Sequence, residues 1–557
     1  PINKSITVKV TLKPNESKKL SFVLGTERDD QLVEVYKTIS SIQKEYESVV
    51  NYWKDKLSVI NVKTPDKAFD YMINGWYLYQ TYASRLLARS GFYQVGGAFG
   101  FRDQLQDVMG ILYSDPDYAR RQILKHAAHQ FEAGDVLHWW HEEVMFGVRT
   151  KFSDDYLWLI YVTHEYLKVT GDYTILDEEV CFVKGELLTE TESEKGMGYT
   201  YTENKEPLYN HLKLCISKAL GQFGKHDLPL MGSGDWNDGM NKVGHKGTGE
   251  SVFVGFFLYD LLNKMIEISK NNKDYEFISL WTEKRQSLKE ALNKNAWDGD
   301  WYLRAYFDNG VPLGSRNNSE CQIDLLSQAW SVLTGIADAE KKELLFEEAE
   351  NRLIDKKNKI IKLLTPAFKD TPNNPGYIKD YPVGMRENGG QYTHAALWYI
   401  MALLKEGKAD RAYSYYQMIN PVNRALDEDS ANKYKVEPYV IPADVYSNPE
   451  HLGRGGWTWY TGSASWAYKV GLEDILGFKK VGKTLTIDPK VNSKWKHYEI
   501  TYRYLETTYV ITVENPKYLS SGQITMTMDG LKVKNNIIKL VNDQKVHKVV
   551  VKIKERI

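Results

Sequence analysis

Cysteine is scarce: Cys181, Cys215 and Cys321 are all that 557 residues contain. Their wide spacing and odd number argue against a disulfide framework and for reduced thiols in a cytoplasmic setting. An excess of either charge is missing as well. With 72 Lys+Arg against 73 Asp+Glu the formal charge is -1, which leaves no electrostatic footprint for nucleic acid or an anionic membrane. There is no charged-then-apolar leader and no apolar run long enough to cross a bilayer, so no membrane-spanning segment is expected. What is plentiful is aromatic: 15 Trp and 38 Tyr, many beside glycines in loop-like stretches. Bulk packing alone favours Phe and Leu, because Trp and Tyr need partners for their polar atoms. A helical core accounts for most of these rings, and flat platforms for a sugar account for the loop-borne ones.

The chain divides by periodicity. Residues 5–25 alternate (Ile6, Val8, Val10, Leu12, then Leu20, Phe22, Leu24) and predict one or two half-buried strands. Such strands are not stable alone, so 1–27 reads as the remnant of a β-sandwich whose beginning lies elsewhere. Residues 28–65 form a linker built on one amphipathic helix over 28–57, with Val33, Tyr36, Ile39, Ile42, Tyr46, Val49, Val50 and Trp53 near helical spacing. From 66 to 477 helix follows helix, with almost no strand pattern and no repeated motif. The predicted spans are 67–89, 116–133, 153–169, 207–222, 249–271, 276–294, 322–335, 338–354, 392–405, 408–419 and 461–475, with a shorter helix starting near Asp103. Residues 478–557 switch to strands at 484–489, 498–504, 508–513, 523–528 and 546–553, which predict a small antiparallel β-sandwich.

Five loop stretches carry chemistry. Met231-Gly232-Ser233-Gly234-Asp235-Trp236-Asn237-Asp238-Gly239-Met240-Asn241 sets two carboxylates and an indole between glycines. An aspartate desolvated beside an indole holds a proton near neutrality, which suits a general acid at a glycosidic bond. An Asx-rich surface turn is the plain alternative. A calcium loop is not, since the glycine falls one place early and no glutamate closes it. In Gly96 to Asp107, Arg102 and Asp107 could bind hydroxyls as a donor fork and a two-oxygen acceptor, or simply cap and pair at the surface. Gly134-Asp135-Val136-Leu137-His138-Trp139-Trp140-His141-Glu142 lacks HExxH spacing, and its adjacent tryptophans argue for a sugar wall or packing rather than a metal. Arg386-Glu387-Asn388-Gly389-Gly390-Gln391-Tyr392-Thr393-His394 delivers a histidine to a helix start behind a polar loop. In Gly453 to Ser463, Thr461 as an N-cap with Gly462 in the first turn leaves backbone N–H groups free for an anion. No Walker motif accompanies it, so inorganic phosphate fits better than a nucleotide.

Four of these motifs, taken in order, resemble those of the inverting glycoside phosphorylases that include the cellobiose, cellodextrin and chitobiose enzymes. They are Phe101-Arg102-Asp103-Gln104-Leu105-Gln106-Asp107, Gly234-Asp235-Trp236-Asn237-Asp238-Gly239-Met240-Asn241, Glu387-Asn388-Gly389-Gly390-Gln391-Tyr392-Thr393-His394 and Trp459-Tyr460-Thr461-Gly462-Ser463. Gly134 to His141, Gly147-Val148-Arg149-Thr150 and Gly249-Glu250-Ser251 look most like the β-1,2-glucan branch. That branch holds 1,2-β-oligoglucan phosphorylase and the phosphorylase-like part of cyclic β-1,2-glucan synthases. The resemblance implies a mainly α protein: an (α/α)6 barrel, preceded by a β-sandwich and helical linker and followed by a small β-domain. The family's N-terminal sandwich is long, so this chain reads as lacking an N-terminal portion.

The resemblance also implies roles. Asp238 is the general acid; His394, Thr461 and Gly462 bind phosphate; Arg102 and Asp107 hold the non-reducing glucose. Asp235 looks like a sugar or loop ligand, Trp236 and Asn237 line the site, and Glu387 and Gln391 reach the acceptor sugar. The implied reaction is a β-glucan plus phosphate giving α-glucose 1-phosphate and a shorter chain, reversibly, with no cofactor and no metal. The family's members are commonly dimeric, which leaves a homodimer open. An inverting glucosidase on the same barrel, with Glu387 or another carboxylate as base, and a non-catalytic carbohydrate module of a larger synthase remain the alternatives. Linkage and chain length are set by loop shape and are not legible.

Overall fold

The computed structural model describes residues 5–22 and 39–555, which cluster into two units, one ending at Ser58 and the other starting at Val59. In the first, helix α1 (Ile39–Leu57) carries out the later part of the predicted linker helix; residues 28–38 lie outside the described residues. The predicted N-terminal strands are not there. No residue of 5–22 is in a strand, and Ile6 and Phe22 are 82% and 65% exposed. Alternation makes a strand only where a neighbour takes up its N–H and C=O groups, and among the described residues none pairs with 5–22. Residues 23–25 lie outside them.

The second unit mixes helix and sheet. Its helices are α2 (a run over 67–87 that alternates α and π turns), α3 (Phe101–Val108), α4 (Pro116–Ala127), α5 (Leu157–Thr170), α6 (Leu208–Leu220), α7 (Val252–Asn271), α8 (Tyr275–Asn295), α9 (Leu325–Thr334), α10 (Ala339–Leu353), α11 (Thr393–Lys405), α12 (Ala409–Ile419), α13 (Glu428–Tyr434) and α14 (Ser463–Lys469), the last running on as π turns to Ile475. Side-chain caps set several starts. Asp115 accepts from Tyr118 N–H ahead of Pro116, Ser251 from Val254 N–H, and Asp338 from Lys341 N–H.

The core explains most of the tryptophan. Trp398 of α11 meets Trp330 of α9 at 5.3 Å, Trp466 of α14 at 5.6 Å and Trp158 of α5 at 6.1 Å between ring centroids. Four helices distant in sequence therefore share one aromatic centre. Edge-to-face and offset pairs of this kind add about 0.5–1.5 kcal/mol each beyond area burial.

Strands are commoner in 66–477 than the pattern predicts. Phe99–Gly100, Leu137–His141, Phe146–Thr150 and Glu194–Gly198 form a four-stranded sheet, and Glu179–Lys184 pairs with Thr200–Pro207. The last of these is largely exposed, so its sequence has no apolar alternation to betray it. The C-terminal region holds a six-stranded sheet in the order Ile60–Lys63, His497–Tyr504, Thr507–Glu514, Val546–Lys554, Gln523–Met528, Leu531–Lys532, and a three-stranded sheet of Phe478–Val481, Thr484–Ile487 and Ile538–Lys539. The expected purely antiparallel arrangement needs correcting: Thr507–Glu514 runs parallel to Val546–Lys554, Thr508 facing Val546. The edge strand Ile60–Lys63 comes from the stretch assigned to the linker and pairs with His497–Tyr504.

Candidate active site

The 231–241 loop is fastened from behind. Ser233 N–H donates to the Lys151 carbonyl at 3.1 Å and Ser153 N–H to the Gly234 carbonyl at 3.0 Å. Two glycines permit this approach: a methyl on Gly232 (φ 63°) would lie 2.0 Å from the Lys151 oxygen, and one on Gly234 (φ 146°) 2.2 Å from Phe152. Asp235 is fully buried and gripped by Arg304, whose Nη1 and Nη2 donate to its two oxygens at 2.7 and 2.6 Å, with Ser251 Oγ donating at 2.7 Å. Burial alone would raise this carboxyl; the Arg304 guanidinium outweighs it and holds Asp235 below the usual carboxylate range. Asn237 accepts from Gly239 N–H, starting the single turn Asp238–Met240. The loop thus turns Trp236 and Asp238 outwards on a rigid base.

Both face a cavity of about 250 Å³ lined by residues from helices α2, α3 and α11 and from the loops between elements. Arg102 of α3 donates to Asp238, to Asp154 at 2.7 Å and to the Asp235 carbonyl at 3.0 Å. Burial works against a charge here, but Asp154, Asp238 and Asp155 more than compensate and keep Arg102 cationic. His138 Nδ1 donates to Asp155 at 2.8 Å. Burial would depress this imidazole; Asp155 and Asp238 lift it to about 9. His138, weighed for a metal, is therefore an imidazolium held by a carboxylate. Among the described residues no group of three His, Cys, Asp or Glu is placed to hold a metal ion.

The other wall is the start of α11 and α14. His394 lies edge-on to Trp236, with centroids 5.2 Å apart, and burial lowers its pKa to about 3, leaving it neutral. Thr461 Oγ1 accepts from Ser463 N–H at 3.2 Å. The helix begins at Ser463, two residues after the predicted start at 461, and Gly462 rather than the expected Thr461 stands at its N-cap. A methyl on Gly462 would stand 3.3 Å from His394 Cε1 and 3.6 Å from Asp107 Oδ1, so Gly462, His394 and Asp107 converge. Glu387 pairs with Arg386 at 3.7 Å, and burial raises its carboxyl against the pull of that arginine.

Of the eleven residues singled out from sequence, Arg102, Trp236, Asp238, Glu387, His394, Thr461 and Gly462 line the one cavity. Asp107, Asp235, Asn237 and Gln391 do not. Asp107 takes Arg85 Nε at 2.8 Å, Asp235 takes Arg304, Asn237 caps its own turn, and Gln391 accepts from Ile361 N–H while its amide donates to Thr393. Each is buried and engaged inside the protein. The cavity also recruits Arg85, Asp103, Gln106, His138, Arg386, Tyr377, Tyr381, Tyr392, Trp457 and Tyr460, which were not chosen. Asp103 and Gln106 sit within the α3 motif and Arg386 beside Glu387, so adjacency could have found them. Arg85 lies within the 67–87 helical run and had no local signal.

Comparison with known proteins bears on the chain as a whole. Residues 52–477 match the model of the Glycosyl hydrolase 94 superfamily, catalytic domain. The cyclic beta-(1,2)-glucan synthase NdvB of Rhizobium meliloti (strain 1021) is 41% identical over 95% of this chain, which spans 19% of that protein. The N,N'-diacetylchitobiose phosphorylase of Vibrio proteolyticus is 27% identical over 96% of this chain and 67% of its own length. The 1,2-beta-oligoglucan phosphorylase of Listeria innocua serovar 6a is 22% identical over 71% of this chain and 37% of its own. Among solved structures, a GH78 family rhamnosidase of Bacillus sp. GL1 shares the fold, with TM-score 0.54, 13% identity, and coverage of 90% of this chain and 44% of that one.

Proposed function

Because the chain belongs to the Glycosyl hydrolase 94 superfamily, we propose that it is an inverting glycoside phosphorylase acting on a β-glucan oligosaccharide, with β-1,2-linked glucan the preferred substrate. The observation that carries this reading is that Asp238 and the trio His394, Thr461 and Gly462 face one hollow. A glycosidic bond breaks when a carboxyl protonates the leaving oxygen and a nucleophile attacks the opposite face of the ring. Hydrolysis by inversion needs a second carboxylate to activate water; phosphate is already an anion and needs only a place to sit.

In this reading Arg102 gives up Asp238 as the glucan enters, its own charge still met by Asp154 and Asp155, and the freed Asp238 takes a proton from solvent before it faces the leaving oxygen. An unprotonated phosphate oxygen attacks the anomeric carbon, the carbon–oxygen bond to the rest of the chain breaks, and the Asp238 proton passes to the departing oxygen. The products are α-glucose 1-phosphate and a glucan shorter by one residue; the reverse sequence lengthens the chain. Phosphate is a substrate, and no cofactor enters. Trp236 supplies a ring edge to the sugar, Glu387 with Arg386 meets the acceptor sugar, and His138 holds positive charge near the acid. Asp107, Asp235, Asn237 and Gln391 act by positioning these groups.

The same reading takes the helices of 66–477 as an (α/α)6 barrel and the C-terminal sheets as a β-sandwich. It treats the chain as part of a longer protein, and its three free thiols favour the cytoplasm. No helix among the described residues is long and apolar enough to cross a membrane. The name of the 41% identical relative supports the β-1,2 linkage. The test is a panel of sophoro-, cello- and laminari-oligosaccharides with phosphate, scoring glucose 1-phosphate; turnover confined to cello-oligosaccharides would remove the linkage assignment.

A further inference from the structure

We infer that Gln106 and Trp466 are positioning residues that fix His394 in the tautomer presenting an acceptor nitrogen to the cavity, so that the site selects an oxyanion that still carries a proton. The inference rests on the phosphorylase reading of the same cavity and adds which anion it prefers and why.

The reasoning starts from partners whose sense cannot change. The Trp466 indole N–H can only donate, and it lies 3.1 Å from Gln106 Oε1. At the other end of the amide, Gln106 Nε2 lies 3.1 Å from the Arg102 carbonyl, which can only accept. A fixed donor on one side and a fixed acceptor on the other leave the Gln106 amide one orientation. His394 Nε2 is also 3.1 Å from Gln106 Oε1, so this ring nitrogen carries the hydrogen and donates.

His394 is 7% exposed. Burial, with Arg85 and Arg102 nearby, keeps the ring neutral. A neutral imidazole with its hydrogen on Nε2 has a lone pair on Nδ1. Among the described residues Nδ1 has no hydrogen-bond partner, and a methyl built on Gly462 would stand 3.6 Å from it. An anion seated against Gly462 and Thr461 therefore meets a bare acceptor on this side. Hydrogen phosphate and hydrogen arsenate bring an O–H to it. Sulfate brings only oxygen lone pairs, and leaves the ring nitrogen unpaired. A site built to pair a particular ligand hydrogen rejects the analogue lacking it.

The arrangement also places the proton during the reaction. It stays on a non-attacking oxygen, donated to Nδ1, while an unprotonated oxygen attacks. The phosphoryl group of the product keeps that hydrogen, so none is lost or gained on the phosphate.

The experiment uses the full chain with a disaccharide it turns over. Arsenate should replace phosphate in supporting turnover, and sulfate should compete at least about tenfold more weakly than phosphate binds. Sulfate competing as tightly as phosphate would overturn the inference. Ring nitrogen shifts of labelled histidine, with His394 assigned by the signals lost in His394→Asn, should show the hydrogen on Nε2; a hydrogen on Nδ1 overturns it. In Gln106→Glu a carboxylate accepts from both Trp466 and His394 and favours the imidazolium, so the gap between sulfate and phosphate should close. A folded Gln106→Glu with an unchanged gap counts against the inference, and if that variant does not fold the two wild-type measurements decide. Failure of phosphate and arsenate alike to support turnover would fault the phosphorylase reading instead, while the nitrogen shifts would still report the tautomer.

Discussion

Replacing Arg304 with Met tests how the acid-bearing loop is held. Arg304 and Asp235 are both fully buried, and the guanidinium meets the two carboxylate oxygens at 2.6 and 2.7 Å. Methionine keeps much of the stem volume but leaves two buried carboxylates, Asp235 and the Asp324 that lies 3.7 Å from Arg304 Nε, facing no cation. Breaking a buried pair on one side costs about 3–5 kcal/mol. If the second unit melts cooperatively, about 500 residues at ~2.1 cal/mol/K each give ~1 kcal/mol per degree, so Tm should fall by about 3–5 °C.

The loss has a pH signature. In the wild type Asp235 lies below its ordinary range because Arg304 outweighs burial, so its contribution is present above the unfolded value and lost as pH falls through the lower folded one. Without Arg304, burial alone raises that carboxyl, and stability now declines as pH rises. The gap in Tm between wild type and Arg304→Met should therefore narrow from pH 7 towards pH 4. Adding Asp235→Asn to Arg304→Met should recover part of the loss, since one of the two unpaired charges is gone and only Asp324 remains. Thermal melts across pH measure all three. A Tm change under about 1 °C, or a gap that widens as pH falls, would refute the reasoning.

Three further outcomes follow from the cavity. Asp238→Asn should lower kcat with phosphate by about 10²–10⁴ with little change in Tm, because its side chain is 38% exposed; kinetics and a melt check both. Gly462→Ala should raise KM for phosphate about ten- to a hundredfold, since the methyl must displace His394, while its φ of -65° keeps the stability change within about 1 kcal/mol. His138, lifted to about 9 by Asp155 and Asp238 against burial, contributes up to about 3 kcal/mol. That contribution is complete below the unfolded value of ~6.5 and is lost as pH rises through 9, so the Tm advantage of wild type over His138→Asn should shrink between those limits.

What the sequence discloses follows from how local each signal is. The long helices announce themselves by spacing, and α7 and α11 fall within a few residues of their predicted spans. The 231–241 loop was legible because glycines, an indole and two carboxylates cannot all be helix or strand. Which of its carboxylates faces the cavity is not legible in the residues themselves; only the family resemblance set Asp238 apart as the acid. Asp235 and Asp238 look alike in the chain, and only Arg304, 69 residues away, turns one of them inwards. Asp107 has the same history with Arg85. Strand direction is invisible to alternation, which is why the parallel pairing of Thr507–Glu514 with Val546–Lys554 was missed. The alternation of residues 5–22 shows the converse: a pattern without a partner does not become a strand. Tyr377 and Tyr381 join the cavity from a segment with no motif at all.

The most direct measurement is turnover of a β-1,2-linked gluco-oligosaccharide followed by phosphorus and proton NMR, with phosphate present and absent. The account predicts an α-configured glucose 1-phosphate that accumulates with phosphate, and no cleavage without it. Glucose released at the same rate in both samples would contradict it.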